Sequence, residues 1–104
     1  MPPPPPTWGE LTPAGKAVTA VRFVTADRVV TYPYSEIKRW AHAVGEPEML
    51  TINAGKDVIT VEGRDLAVVC AALELARLCE LRPTHERSNV RPGPRVRQIT
   101  VEPA

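Results

Sequence analysis

Leu66-Ala-Val-Val-Cys-Ala-Ala-Leu-Glu-Leu-Ala-Arg-Leu-Cys-Glu-Leu81 is the stretch on which the fold turns. It is rich in alanine and leucine and holds neither Gly nor Pro. It follows Asp65, which can cap a helix, and it is closed by Arg82-Pro83. These are the marks of one long helix. On a helical wheel Glu74, Arg77 and Glu80 share a narrow stripe. Val68, Val69, Ala71, Ala72, Leu75, Ala76 and Cys79 cover the opposite half. A face that wide packs on a sheet. Leu66, Cys70 and Leu73 fall beside the charged stripe and are surplus to a helix buried on one side. They are candidate contacts with the terminal segments or with a partner protein, a second copy of the chain included. On such a helix Cys70 and Cys79 lie on roughly opposite sides, about 13 Å apart along the axis. They cannot bridge, and both read as small buried apolar groups in a reducing compartment.

Upstream, Met49 to Asn53 and Val58 to Glu62 are short β-rich runs around the turn Ala54-Gly55-Lys56-Asp57, the pattern of a hairpin, and Gly63 ends the second strand. A second hairpin is expected from Val18–Val24 and Val29–Tyr34 around Thr25-Ala26-Asp27-Arg28, with Pro33 marking an edge or a bend. Between them, residues 35–44 read two ways. Ile37, Trp40, Ala41 and Val44 recur at helical spacing after Ser35, with Gly45 and Pro47 to end the helix. A strand running to Ala43 and turning at Gly45-Glu46-Pro47 fits as well. Downstream, Arg95 to Glu102 alternates as a last strand that could add to a sheet edge and protect it.

The expected fold is α+β: an antiparallel β-meander of about five strands packed by one long helix, with a short C-terminal strand. Residues 1–16, with Pro2 to Pro6 and then Trp8, read as a disordered Pro-rich tail. Residues 17–82 are the meander-plus-helix domain, and 83–104 a Pro/Arg-rich loop with the last strand.

The series Pro33-Tyr34-Ser35-Glu36-Ile37, Leu50-Thr51-Ile52, Val58-Ile59-Thr60-Val61-Glu62-Gly63 and Leu66 onward resembles a family of small uncharacterised bacterial domains, over about residues 20–82. The resemblance implies a β-meander capped by one helix, with the Pro-Tyr-Ser segment running into a strand. It brings no known activity and no catalytic residues. A looser similarity to half of a pleckstrin-homology-like sheet plus helix concerns fold alone.

The 104 residues suit a single domain, and 13 basic against 12 acidic residues give no global pull toward nucleic acid or anionic lipid. No apolar run approaches the roughly 18 residues of a membrane span, so no membrane partner is expected. Met1 and its prolines do not form a secretory signal, which makes a cytoplasmic location the expectation.

Catalytic motifs are thin. Gly9 to Lys16 misses the phosphate-loop spacing and has Ala17 where a Ser or Thr is needed; Asn53 to Lys56 lacks the first glycine. His42, His85, Cys70 and Cys79 pair at no metal-ligand spacing, and the histidines read as solvated. Ser35 and Ser88 have no nucleophile elbow, and Glu46 and Glu48 read as solvated turn charges. The chain is expected to be no enzyme and to need no cofactor or metal.

Three roles remain. The leading one is a non-catalytic interaction module that self-associates through the helix at Leu66, Cys70 and Leu73. The second is a nucleic-acid-binding accessory protein using Arg82, Arg87, Arg91, Arg95 and Arg97, a segment with a local excess of positive charge but no interleaved aromatic. The third is a small-ligand-binding domain using Tyr32, Tyr34 and Trp40, which share one side if 28–42 is a strand.

Overall fold

Val21 and Phe23, two residues apart, are wholly buried, while Arg22 between them is exposed. The same alternation recurs at Leu50 and Ile52 and at Ile59 and Val61. Strands with one apolar face must cover it. In this computed structural model two four-stranded sheets do so, their inner side chains forming one core. The structure describes residues 8–13, 15–84 and 94–103.

The elements run β1 (Gly9–Leu11), β2 (Ala20–Val24), β3 (Val29–Pro33), a 3-10 turn (Tyr34–Glu36), β4 (Ile37–Ala43), β5 (Glu48–Ala54), β6 (Asp57–Arg64), α1 (Ala67–Glu74), β7 (Leu78–Leu81) and β8 (Arg95–Pro103). One sheet has the order β1-β7-β2-β3, the other β4-β5-β6-β8. The β2–β7 pair is parallel and the other neighbours are antiparallel. Phe23 and Tyr32 meet edge to face in the core, with ring centroids 6.0 Å apart.

The α+β expectation of one long helix over a meander is corrected. Strand takes 56% of the described residues and helix 13%, in two sheets with one short helix. The helix stops at Glu74 because Ala76 turns into the left-handed region at φ 53. The Ala76 N–H then donates to the Leu73 carbonyl at 3.1 Å and the Arg77 N–H to that of Ala72 at 2.9 Å, the closing bonds of a Schellman cap with alanine in the glycine position. The next carbonyls are taken by the start of the chain. Val18 N–H donates to Ala76 and Thr12 N–H to Arg77, each at 2.8 Å. The Arg77 guanidinium donates back to the Thr12 carbonyl. Leu78–Leu81, helical by propensity, becomes the strand joining β1 to β2, a tertiary override of a weak local preference.

The helix also turns a different face inward. Leu66, Val69, Ala72 and Leu73 are buried, whereas Val68 is 46% exposed and Leu75 62%. Cys79 lies on β7, off the helix, and both cysteines are free and half-buried.

Residues 35–44 form the strand of the two readings. After the 3-10 turn, β4 pairs Trp40 with Ile52 and His42 with Leu50. Val44, which the helical stripe required inside, is 86% exposed. Gly63 continues β6 where a strand end was expected: it sits at a bulge, and a methyl there would overlap the Arg95 carbonyl oxygen of β8. Part of the stretch assigned to the disordered tail is ordered. Trp8 is only 7% exposed and β1 pairs with β7. Gly9 lacks the side chain that would overlap the Glu80 carbonyl, which lets the two strands meet. Among the described residues no helix is long and apolar enough to cross a membrane.

Candidate functional site

Among the described strands β8 lies at the end of its sheet and pairs only with β6. It covers the β6 edge, as a last strand could, but becomes an edge itself. Its first residues are occupied: Thr84 N–H donates to the Val96 carbonyl at 2.6 Å, and Val96 N–H to Thr84 Oγ1 at 3.2 Å. From Arg97 to Glu102 the outer edge borders an open groove of about 610 Å³. The facing wall is the β2–β3 turn, Val24 to Arg28, and Pro83 also lines the groove. That turn is braced. Thr25 N–H donates to the Arg28 carbonyl at 2.8 Å, and the Thr25 hydroxyl contacts the Asp27 carboxylate and accepts the Arg28 N–H.

The β6–β8 register fixes which side chains face where. Val101 opposes Ile59 and Ile99 opposes Val61, all on the core side. Thr100 opposes Thr60, which opposes Thr51, so a row of three threonines crosses the outer face. Gln98 and Glu102 stand on that same face, opposite Glu62 and Val58. Arg97 is the extra residue at the bulge, and its Nη1 lies 3.2 Å from Glu62 Oε1, which holds it on the outer side too. Glu102 is exposed, and its carboxylate has no hydrogen bond or ion pair among the described residues. The groove thus offers a strand edge unpaired among the described residues, an apolar inner side from Ile99, Val101 and Val24, and charges of both signs at its rim.

Among the described residues, those singled out from sequence lie outside this groove, apart from Arg97. Leu66 and Leu73 are buried within the single chain and Cys70 is packed against the same core, so the apolar side chains the helix leaves exposed are not these three but Val68 and Leu75. Tyr32 lies on β3, Tyr34 opens the 3-10 turn and Trp40 lies on β4, and all three pack in or against the core. The Tyr32 hydroxyl donates to Asp57 Oδ2 and that of Tyr34 to the Leu78 carbonyl, both at 2.7 Å. Burial pushes both phenols up to about 12, with the Asp57 carboxylate adding to the effect at Tyr32.

Of the arginines, Arg82 lies against Glu80 and Arg97 against Glu62. Arg95 stands opposite Arg64 in the β6–β8 register. Arg87 and Arg91 lie outside the described residues.

One polar cluster went unread in the sequence. Glu48 is a strand residue whose carboxylate meets His42 Nε2 at 2.6 Å and accepts the Asp65 N–H at 2.7 Å and the Leu66 N–H at 3.3 Å. These bonds, His42 first, hold its carboxyl below the usual range. They clamp the β6–α1 turn, where Asp65 takes φ 54. The cluster does not activate Cys70. Burial first, then the charges of Glu74 and Glu48, push that thiol up, away from the nucleophilic thiolate. Among the described residues no three His, Cys, Asp or Glu side chains are placed to hold a metal ion.

The groove residues Thr25 to Arg28 and Gln98 to Glu102 were missed because they come from distant parts of the chain. The visible signal was the clean alternation of 98–102. Compared with protein-family models, with curated proteins and with solved structures, the chain matches none, so the resemblance to small bacterial domains rests on its motifs alone.

Proposed function

We propose that this chain is a non-catalytic protein-interaction module that takes an extended segment of a partner along the outer edge of β8. The observation that carries this is the 97–102 edge, unpaired among the described strands and bordered by the groove against the Val24–Arg28 turn. A strand edge presents a row of N–H and C=O groups whose hydrogen bonds an added strand completes. The ladder supplies sequence-independent binding, and the side-chain environments on either side supply selection. Here the inner positions of the guest meet Ile99, Val101 and Val24, and the outer positions meet Gln98, Thr100 and Glu102. The preferred guest therefore alternates apolar and polar residues. The short apolar floor and small groove suit a transient contact better than an obligate one.

Panning the full chain against displayed nine-residue peptides tests this. The expected result is enrichment of alternating sequences whose synthetic versions shift the amide resonances of Gln98 to Glu102. No enrichment, or shifts confined to other parts of the molecule, would overturn the proposal.

A further inference from the structure

We propose that the segment received by β8 is β8 of a second copy, run antiparallel about a twofold axis through Thr100; this rests on the strand-addition reading above. Self-pairing demands that one strand complement itself when reversed, and β8 does so in this register. Ile99 of one copy meets Val101 of the other, so the inner apolar faces of both sheets stay on the same side. Thr100 meets its own counterpart, which extends the Thr51–Thr60–Thr100 row into the partner, and paired threonines stabilise neighbouring strands. Gln98 meets Glu102 on the outer face, and the bulge sets Arg97 beside Gln98 on that face. Each Arg97 thus reaches the Glu102 carboxylate across the seam, and Glu102 has no ion pair within its own chain among the described residues. Symmetry makes two such pairs.

Centring the axis on Ile99 opposes Gln98 to Thr100 and carries Glu102 past the arginine, which loses both pairs. Shifting the sum of opposed positions by one residue puts apolar side chains opposite polar ones. The proline run at 2–6 of this chain is no rival occupant, because proline has no N–H to give a ladder. The product is a continuous sheet made from two four-stranded ones.

Sedimentation equilibrium of the full chain from about 5 to about 500 µM, a range that spans transient association, reads the proposal directly. The wild type is expected to dimerise within it. Glu102→Arg and Arg97→Glu are each expected to weaken the dimer by about tenfold or more, and the double variant to recover most of the loss. Glu102→Arg leaves the Arg97–Glu62 contact alone, so it decides the matter even if Arg97→Glu folds poorly. A wild type monomeric throughout, or a Glu102→Arg chain that dimerises like the wild type, would overturn self-pairing. A monomer that still takes panned peptides at Gln98 to Glu102 overturns self-pairing alone, whereas the absence of both responses removes strand addition as well.

Discussion

The Tyr32 hydroxyl on β3 donates to Asp57 Oδ2 on β6 at 2.7 Å, tying the two sheets together at the rim of the core. A hydrogen bond from a buried phenol to a carboxylate is worth more than a neutral one in water-accessible surroundings. Tyr32→Phe is therefore expected to lose about 1–2 kcal/mol in urea unfolding at neutral pH. The pH dependence follows from the raised phenol. A group whose folded pKa lies above its unfolded one contributes stability that is complete below the unfolded value. It is lost as pH rises through the folded value, so stability should fall between about 10 and about 12. Tyr34 titrates in the same window, so Tyr32→Phe should flatten that fall without abolishing it. An alkaline limb identical to the wild type's would contradict the tie.

Glu48 gives the opposite sign. Its carboxyl is held below the ordinary range by His42 and by the Asp65 and Leu66 N–H groups, so its contribution is present above the unfolded carboxyl pKa. That contribution is lost as pH falls through the depressed folded value. Glu48→Gln should lower the midpoint of thermal unfolding at pH 7 and make the acid limb shallower. Amide exchange at Asp65 and Leu66 should quicken at the same time. Unchanged exchange there would show that the clamp does not hold the turn.

The helix end offers a stabilising change. Ala76 sits at φ 53, where a Cβ costs about 1–2 kcal/mol and glycine fits freely. Ala76→Gly is expected to raise stability by about 1 kcal/mol, net of the added freedom of the unfolded chain. A lower urea midpoint would mean that residue 76 does not adopt this cap in solution.

Leu73 and Leu75, two residues apart, should respond in opposite ways. Leu73 is buried and Leu75 is 62% exposed. Leu73→Asp places a charge in the core and should cost about 4 kcal/mol or more, enough to unfold many small domains. Leu75→Asp should change stability by no more than about 0.5 kcal/mol. Circular dichroism of the two variants checks both. A folded Leu73→Asp chain would return that side chain to the surface and reopen the helix as a contact between copies.

Sequence periodicity was informative wherever a strand met its partner nearby. The β5–β6 hairpin was legible because Gly55, at φ 59, and Lys56 make a tight turn between runs of β-forming residues. The β2–β3 hairpin was legible because the short polar turn Thr25 to Arg28 separates two runs of β-forming residues. At β4, local pattern supported two structures, and the ladder to β5 chose between them. β7 was not legible. Leu78-Cys79-Glu80-Leu81 is short, apolar at both ends and compatible with helix, and its partners are Gly9–Leu11 and Arg22–Phe23, far away in the chain. The helix face was not legible either, because residues 76–81 leave the helix and a 3.6-residue period does not apply to them. Glu48 was dismissed as a turn charge because its partners, His42 and two backbone N–H groups, become neighbours only after β4, β5 and the β6–α1 turn assemble. The groove needs the 24–28 turn and β8 to converge, which no local pattern encodes.

The position of β7 between β1 and β2 sets an order of events at the ribosome. The β2–β3 and β5–β6 hairpins can close as soon as their own residues emerge, since each needs only adjacent sequence. The first sheet cannot: β1, made earliest, waits for Leu78–Leu81 before it has a neighbour to bind. Until then Trp8, Val21 and Phe23 lack part of their cover, and the nascent chain passes through an interval in which a chaperone that grips apolar segments would find them within reach.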